Sequence, residues 1–204
     1  MSPTTRFGPL EISYHDGVLR PRPWTAQQSH WAAELLATAP AGPILELCAG
    51  AGQIGLLTIS LRARPLVCVD SSARACADAR RNAAAAGLGE LVEVRGRRLE
   101  DAVGPEERFA MVLADPPWVP GTEIGRFPDD PPHSIDGGPD GLDAARSCLR
   151  VAMRHLLPGA PVLLQLGRRE QAATLAAGLT DLAVREVRDG EGGVLVLLRG
   201  AADD

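Results

Sequence analysis

Strand-length apolar runs alternate with helical patterns along most of this chain, and that alternation restricts the possible folds more than any other feature. Ile44-Leu45-Glu46-Leu47-Cys48 and Pro65-Leu66-Val67-Cys68-Val69-Asp70 are almost continuously apolar, as strands covered on both faces must be. Strands are expected near residues 43–48, 66–70, 91–94, 110–114, 161–166, 183–188 and 194–199. Helices are expected near 25–38, 53–62, 72–86, 142–156 and 169–177, with Gly87 and Pro158-Gly159 as stops. This order predicts an α/β domain with a mostly parallel seven-stranded sheet and helices on both faces. The run Asp189-Gly190-Glu191-Gly192-Gly193 reads as a hairpin turn, so the last strand should be antiparallel. With 204 residues, 45% of them hydrophobic, the chain suits one domain, divided into an N-terminal wall over 1–40 and a core over 41–204.

Within that frame, Leu113-Ala114-Asp115-Pro116-Pro117-Trp118 leaves a strand as an acid, two prolines and an aromatic. Each proline fixes φ and lacks an N–H, so nearby carbonyls keep acceptor capacity for a ligand's NH2 group. Asp115 adds a further acceptor and Trp118 a stacking face. The plain alternative is a strand-capping turn. Upstream, Ile44 leads into Cys48-Ala49-Gly50-Ala51-Gly52 and a helix, and Gly50 and Gly52 permit close backbone approach to a ligand. Those letters also fit the dinucleotide fingerprint, but Glu46 at the strand end suits a cationic ligand better than pyrophosphate. Asp70 ends the next strand 20 residues beyond Gly50, where an acid hydrogen-bonds ribose hydroxyls. An adenosine cofactor is implied.

Residues 46–52, Asp70 and the 115–118 turn, in this order, resemble a class I S-adenosylmethionine-dependent methyltransferase. Within that class the chain is most similar to the HemK-type protein-glutamine methyltransferases. Their turn reads Asn-Pro-Pro-Tyr, between a Pro-Arg-Pro and a Gly-Gly-x-Asp-Gly-Leu segment; here Pro21-Arg22-Pro23 and Gly137-Gly138-Pro139-Asp140-Gly141-Leu142 stand in those places. The matches run from about residue 19 to 167. The resemblance implies a Rossmann-like fold and S-adenosyl-L-methionine as cofactor, held around Glu46, Cys48, Gly50, Gly52, Asp70 and Ser71, with Asp115 bordering cofactor and acceptor. It implies Asp115, Pro116 and Trp118 as the groups that orient the acceptor, and Arg22, Pro117, Trp118 and His133 as its other contacts.

Departures from that pattern bear on substrate. Asp115 and Trp118 replace the family's Asn and Tyr. Arg98 stands where an acid would contact adenine, leaving Glu100 or a backbone group to do so, and Ala110 replaces an acid before the fourth strand. Only about 40 residues precede the first core strand, so a release factor is a less expected substrate, and the partner is expected to be a small-molecule or peptide amide or amine.

Composition narrows the rest. The net charge is −5 and all 21 cations are Arg, which excludes lysine chemistry and weakens any nucleic-acid reading. The cluster 95–98 is expected to be a solvated or ion-paired surface. Cys48, Cys68, Cys76 and Cys148 lack metal-site spacing and read as small core residues. No leader or long apolar span is evident, so a cytoplasmic protein without metal or membrane partner is expected, and no feature sets an oligomeric state. The Pro-, Gly- and Asp-rich stretch 119–140 should cross the carboxyl ends of the strands, offering Arg126, His133, Asp136 and Asp140 for substrate selection. Trp24 and Trp31 are seven apart, a helical spacing that favours burying at least one. The expected activity is N-methylation of a glutamine-like amide or small amino compound. Alternatives are a base methyltransferase on rRNA or DNA, a small-molecule enzyme using the cofactor for another alkyl transfer or cyclisation, and a non-catalytic cofactor-binding partner.

Overall fold

The computed structural model describes residues 2–201. Two short strands, β1 (Thr4–Phe7) and β2 (Leu10–Ser13), form a hairpin ahead of α1 (Ala26–Leu35). Next come β3 (Ile44–Leu47), α2 (Gln53–Leu61), β4 (Leu66–Asp70), α3 (Ala73–Ala85), β5 (Val92–Gly96) and β6 (Met111–Ala114). The chain continues through α4 (Pro132–Ile135), α5 (Asp143–His155), β7 (Val162–Leu166), α6 (Arg169–Ala177), β8 (Leu182–Gly190) and β9 (Gly193–Gly200). The main sheet has seven strands in the order β5-β4-β3-β6-β7-β9-β8. Its first five strands are mutually parallel, while β9 is antiparallel to both neighbours. The α/β class, the strand count and the antiparallel last strand are as the sequence indicates.

Every residue of β3, β6 and β7 is buried, because helices cover both faces of the sheet. Alternate residues feed two cores. Leu45, Leu47, Val112, Ala114 and Leu164 face α5 and α6. Ile44, Cys68, Met111, Leu113 and Leu163 face α1, α2 and α3. The second core also takes Phe7 and Ile12 of the hairpin, and burying each stabilises by about 1.5–3 kcal/mol. Without that anchorage a two-stranded hairpin is marginal. The sequence offered no sign of it, since both strands have only four residues.

Local chemistry sets the ends. Ser72 caps α3 by accepting from the Ala75 N–H at 3.3 Å, and Gly87, at φ 69°, follows its end. Helix α1 is shorter than expected because Pro23–Thr25 forms a separate 3-10 turn and the last residues, 36–38, form only hydrogen-bonded turns. Strands β8 and β9 extend to a two-residue turn, Glu191-Gly192, inside the expected one. Trp31 is buried with the Arg188 guanidinium 3.8 Å over its ring, as one of the two tryptophans was expected to be. The 119–140 segment is ordered: it contains a 3-10 turn, Gly121–Arg126, then α4, and is pinned by a bridge between Val119 and Asp136. Among the described residues no helix is long and apolar enough to cross a membrane.

Candidate active site

Strand β3 has β4 on one side and β6 on the other, so successive connections leave it in opposite directions. Such a switch point opens a crevice at the carboxyl ends of the strands. A cavity of about 750 Å³ lies there, lined by Cys48, Gly50, Asp70, Ser71, Glu100, Asp115, Pro117 and His133 among others. Nine of the residues singled out from sequence, Asp136 included, are thus brought together.

The glycine loop gives the cavity its floor. Gly50 and Gly52 have φ of 55° and 81°, and Cys48 has φ 57°, the one positive value among described non-glycine residues. That conformation costs an ordinary side chain about 1–2 kcal/mol, so the surrounding contacts must enforce it. Asp70 is the chief of these. Its Oδ2 accepts from the Gly50 N–H and its Oδ1 from the Ser72 N–H, each at 2.8 Å, fixing loop and helix start together. A carboxylate has about four acceptor sites, so Asp70 retains some for a ligand. Gln53, at the start of α2, also lines the cavity, and its Oε1 is buried with no partner. Residue 53 escaped sequence reasoning; a polar residue opening an otherwise apolar helix was the available signal.

Glu46 is placed differently from expectation. It is buried behind the loop, where its Oε1 accepts from the Gly55 N–H at 2.9 Å and its Oε2 from the Cys68 thiol at 3.2 Å. Burial pushes its carboxyl up to about 7, the charges of Asp115 and Asp70 add to that, and the two hydrogen bonds oppose it. Gly52 likewise packs on Ala79 and supports the loop. Glu46 and Gly52 therefore shape the site from behind and do not line it.

On the far wall, Asp115 is also pushed up to about 7 by burial, with the Arg22 guanidinium pulling the other way. Among the described residues its carboxyl has no hydrogen-bond partner, and nothing donates to the carbonyls of Asp115, Pro116 or Pro117. Pro116 is buried beneath the turn. Arg22 does not line the cavity. Its Nη2 instead donates to Asp130 at 2.5 and 2.6 Å, tying the N-terminal segment to the 119–140 loop. Trp118 packs against Gly167, where a Cβ would lie 2.3 Å from its ring, and meets Phe127 edge-on at 6.4 Å. It too is set back from the cavity.

Of the loop residues, His133 and Asp136 reach the cavity, whereas Arg126 pairs with Glu123 and Asp140 with Arg146. The first turns of α5 contribute Asp143, Ala144 and Ser147, which carried no sequence signal. Arg95 is ion-paired to Glu93 and Glu107, while Arg97 and Arg98 border the cavity beside Glu100. Cys48 differs from a plain core residue: it lines the cavity with its Sγ 3.9 Å from that of buried Cys148. His155 is buried and structural, its Nδ1 3.0 Å from the Glu107 carbonyl.

Residues 12–125 match the family model described as conserved hypothetical protein 95. The chain is 33% identical over 178 residues to the release factor glutamine methyltransferase of Deinococcus radiodurans, covering 85% of this chain and 62% of that one. It is 32% identical over 189 residues to the enzyme of the same name from Xylella fastidiosa, covering 88% and 68%. The chain belongs to this glutamine methyltransferase family. It spans about three-fifths to two-thirds of the length of these relatives. The family's Rossmann-like fold is shared with the hMettl16 catalytic domain solved in complex with a 3′UTR hairpin, at TM-score 0.72 and 17% identity, covering 96% of this chain and 77% of that one. In this family member the turn that reads Asn-Pro-Pro-Tyr elsewhere presents Asp115 to the cavity and withdraws Trp118.

Proposed function

We propose that this chain binds S-adenosyl-L-methionine and methylates the nitrogen of a glutamine-type side-chain amide or of a small amino compound. The observation that carries this reading is Asp115. Its carboxyl, without a hydrogen-bond partner among the described residues, stands on the cavity wall opposite the Asp70-held glycine loop, within a turn whose three carbonyls have no donor among those residues. When bound, the cofactor supplies a methyl group already activated on a sulfonium. The residues present suit it. Asp70 has acceptor sites left for ribose, Gly50 allows close backbone approach, Gln53 Oε1 lacks a partner, and Glu100 lies beside Arg98 at the end where adenine would rest.

The chain's task is then to aim a lone pair and exclude water. Asp115 and the Pro116 carbonyl accept hydrogen bonds from the two N–H groups of the acceptor, and the ionised Asp115 opposes the positive charge that grows on nitrogen and is positioned to take the one proton released as the methyl arrives. Gly17, Val18 and Leu19 of the N-terminal wall and His133 of the 119–140 loop close over it from two sides. In this reading 1–40 and 41–204 act as wall and core of one unit. With four free cysteines the protein suits the reducing cytoplasm.

Labelled-methyl transfer to peptides and metabolites, followed by mass spectrometry, tests the reaction; one methyl on a nitrogen supports it, and a labelled oxygen or sulfur, or none, refutes it. Calorimetry tests the cofactor. Asp70→Ala should weaken S-adenosylmethionine by about 1.5–3 kcal/mol, through loss of charged hydrogen bonds and of the Gly50 tie. Unchanged affinity would remove Asp70 from the site.

Activity and stability should move in opposite directions with pH. Asp115 ionises near 7, so turnover should rise through that point. Glu46 and Asp115 keep their protons up to about 7 when folded but lose them near 4 when unfolded. The folded state therefore binds more protons between those values, and its stability falls as pH rises through them. Carboxyls held low by arginines, such as Glu107 and Asp140, act only below that window. Melting temperatures that climb between about pH 5 and 7 would contradict this assignment.

A further inference from the structure

The turn that presents Asp115 is gripped at both ends by side-chain amides from helices on opposite faces of the sheet. Gln28, on α1, is fully buried, and its Nε2 donates to the Ala114 carbonyl at 3.1 Å and the Leu163 carbonyl at 2.9 Å. Gln171, on α6, is 7% exposed, and its Nε2 donates to the Trp118 carbonyl at 2.8 Å and the Asp140 carbonyl at 3.2 Å. The same Gln171 accepts, at Oε1, from the Gly167 and Arg168 N–H groups at 3.1 Å each. The carbonyls just before and at the end of the turn are thereby satisfied, whereas those of residues 115–117 between them have no donor among the described residues.

The neighbouring glycines fit the same purpose. A Cβ on Gly141 would lie 2.3 Å from the Trp118 carbonyl oxygen and 2.4 Å from Gln171 Nε2. A Cβ on Gly167 would lie 2.3 Å from the Trp118 ring. Any side chain at either place would push the turn out of its grip. Three separate segments, the turn, the end of the 119–140 loop and the end of β7, therefore converge on one amide.

We infer that Gln28 and Gln171 are paired positioning residues, which bracket the Asp115-Pro116-Pro117 span so that its acceptors are held toward the methyl acceptor. This rests on the methyl-transfer reading above. Neither residue touches the cavity; each acts through the turn. Prolines alone fix φ within the span but leave its ends free to rotate as a unit, and the two amides remove that freedom.

Gln171→Glu separates this role from helix capping. A Glu keeps the oxygen that accepts from Gly167 and Arg168 but presents an acceptor where the Trp118 carbonyl needs a donor. On the acceptor found by the labelled-methyl assay, kcat should fall tenfold or more, with S-adenosylmethionine affinity within twofold. Hydrogen exchange at the Val119 and Gly137 amides, which bond Ile135 and Val119 across this loop, should quicken tenfold or more while α6 stays protected. Gln28→Met should give the same kinetic split from the other end. In an Asp115→Ala background, Gln171→Glu should lower the residual rate by much less than it does in the wild type, because one of the two acceptors it positions is already gone. A Gln171→Glu protein with wild-type kcat, or an additive loss in the double variant, overturns the bracket. If the wild type binds cofactor and methylates nothing, the function reading fails. Hydrogen exchange then decides the bracket by itself, and unchanged Val119 and Gly137 protection rejects it.

Discussion

Asp115→Ala should abolish turnover, by about 10²-fold or more, with S-adenosylmethionine affinity held within about threefold. The carboxyl is half-buried, has no hydrogen-bond partner among the described residues, and stands across the cavity from the Asp70-anchored loop, so its loss spares that loop and removes the group that aims the nucleophile. Its removal also deletes an acid that prefers to be protonated when folded, so the variant should be no less stable at neutral pH. Asp115→Asn is the sharper probe. An amide still accepts one proton, which suffices for a neutral amide substrate, whereas an amine gaining positive charge needs the carboxylate. Steady-state rates on both substrate types distinguish these cases, and wild-type rates in both variants would leave Asp115 as a turn residue only.

Gly55→Ala should destabilise the protein by about 2–5 kcal/mol, against the usual sign for alanine in a helix. In an exposed helix interior that change stabilises by about 0.5–1 kcal/mol. Here the added Cβ would lie 2.3 Å from Glu46 Oε2, 2.8 Å from Leu66 Cδ2 and 3.0 Å from Glu46 Cδ. Both neighbours are buried, so neither can swing aside without opening the core. Overpacking costs about 1–3 kcal/mol, and displacing Glu46 from the Gly55 N–H leaves a buried donor unsatisfied at a cost of about 1–3. Thermal melts should show a drop on the order of 5–15 °C for a domain of this size. A variant that melts at or above the wild type would mean that Glu46 is loosely held.

The sheet was legible because its central strands are buried on both faces and their apolar runs are uninterrupted, a pattern that survives without tertiary knowledge. One wall of the cavity was legible for a related reason: Gly50 and Asp70 lie on one βαβ unit, where chain distance and spatial distance agree. Glu46 was misplaced because the strand end alone does not say which way a side chain turns. Its parity with Ile44, which faces α2, was the available clue. Trp118 was misplaced because its seat is Gly167, 49 positions away, and no local pattern connects the two. Gln28 and Gln171 were invisible, since a glutamine on a helix reads as surface until its partners are known. The hairpin was missed because what holds it lies on α3, far along the chain.

That last attachment has a consequence for how such a sequence can diverge. Asn82 on α3 is buried, and its Oδ1 accepts from the Ser13 N–H and hydroxyl at 3.0 and 2.9 Å. Its Nδ2 donates to the Ser13 carbonyl at 2.9 Å and to the Ala51 carbonyl of the glycine loop at 3.0 Å. One side chain thus answers to two segments far apart in the chain, and no other residue type offers both the same reach and the same donors and acceptors. Drift at position 82 is admissible only with simultaneous change at the start of the chain and in the loop, which binds the histories of the two segments together.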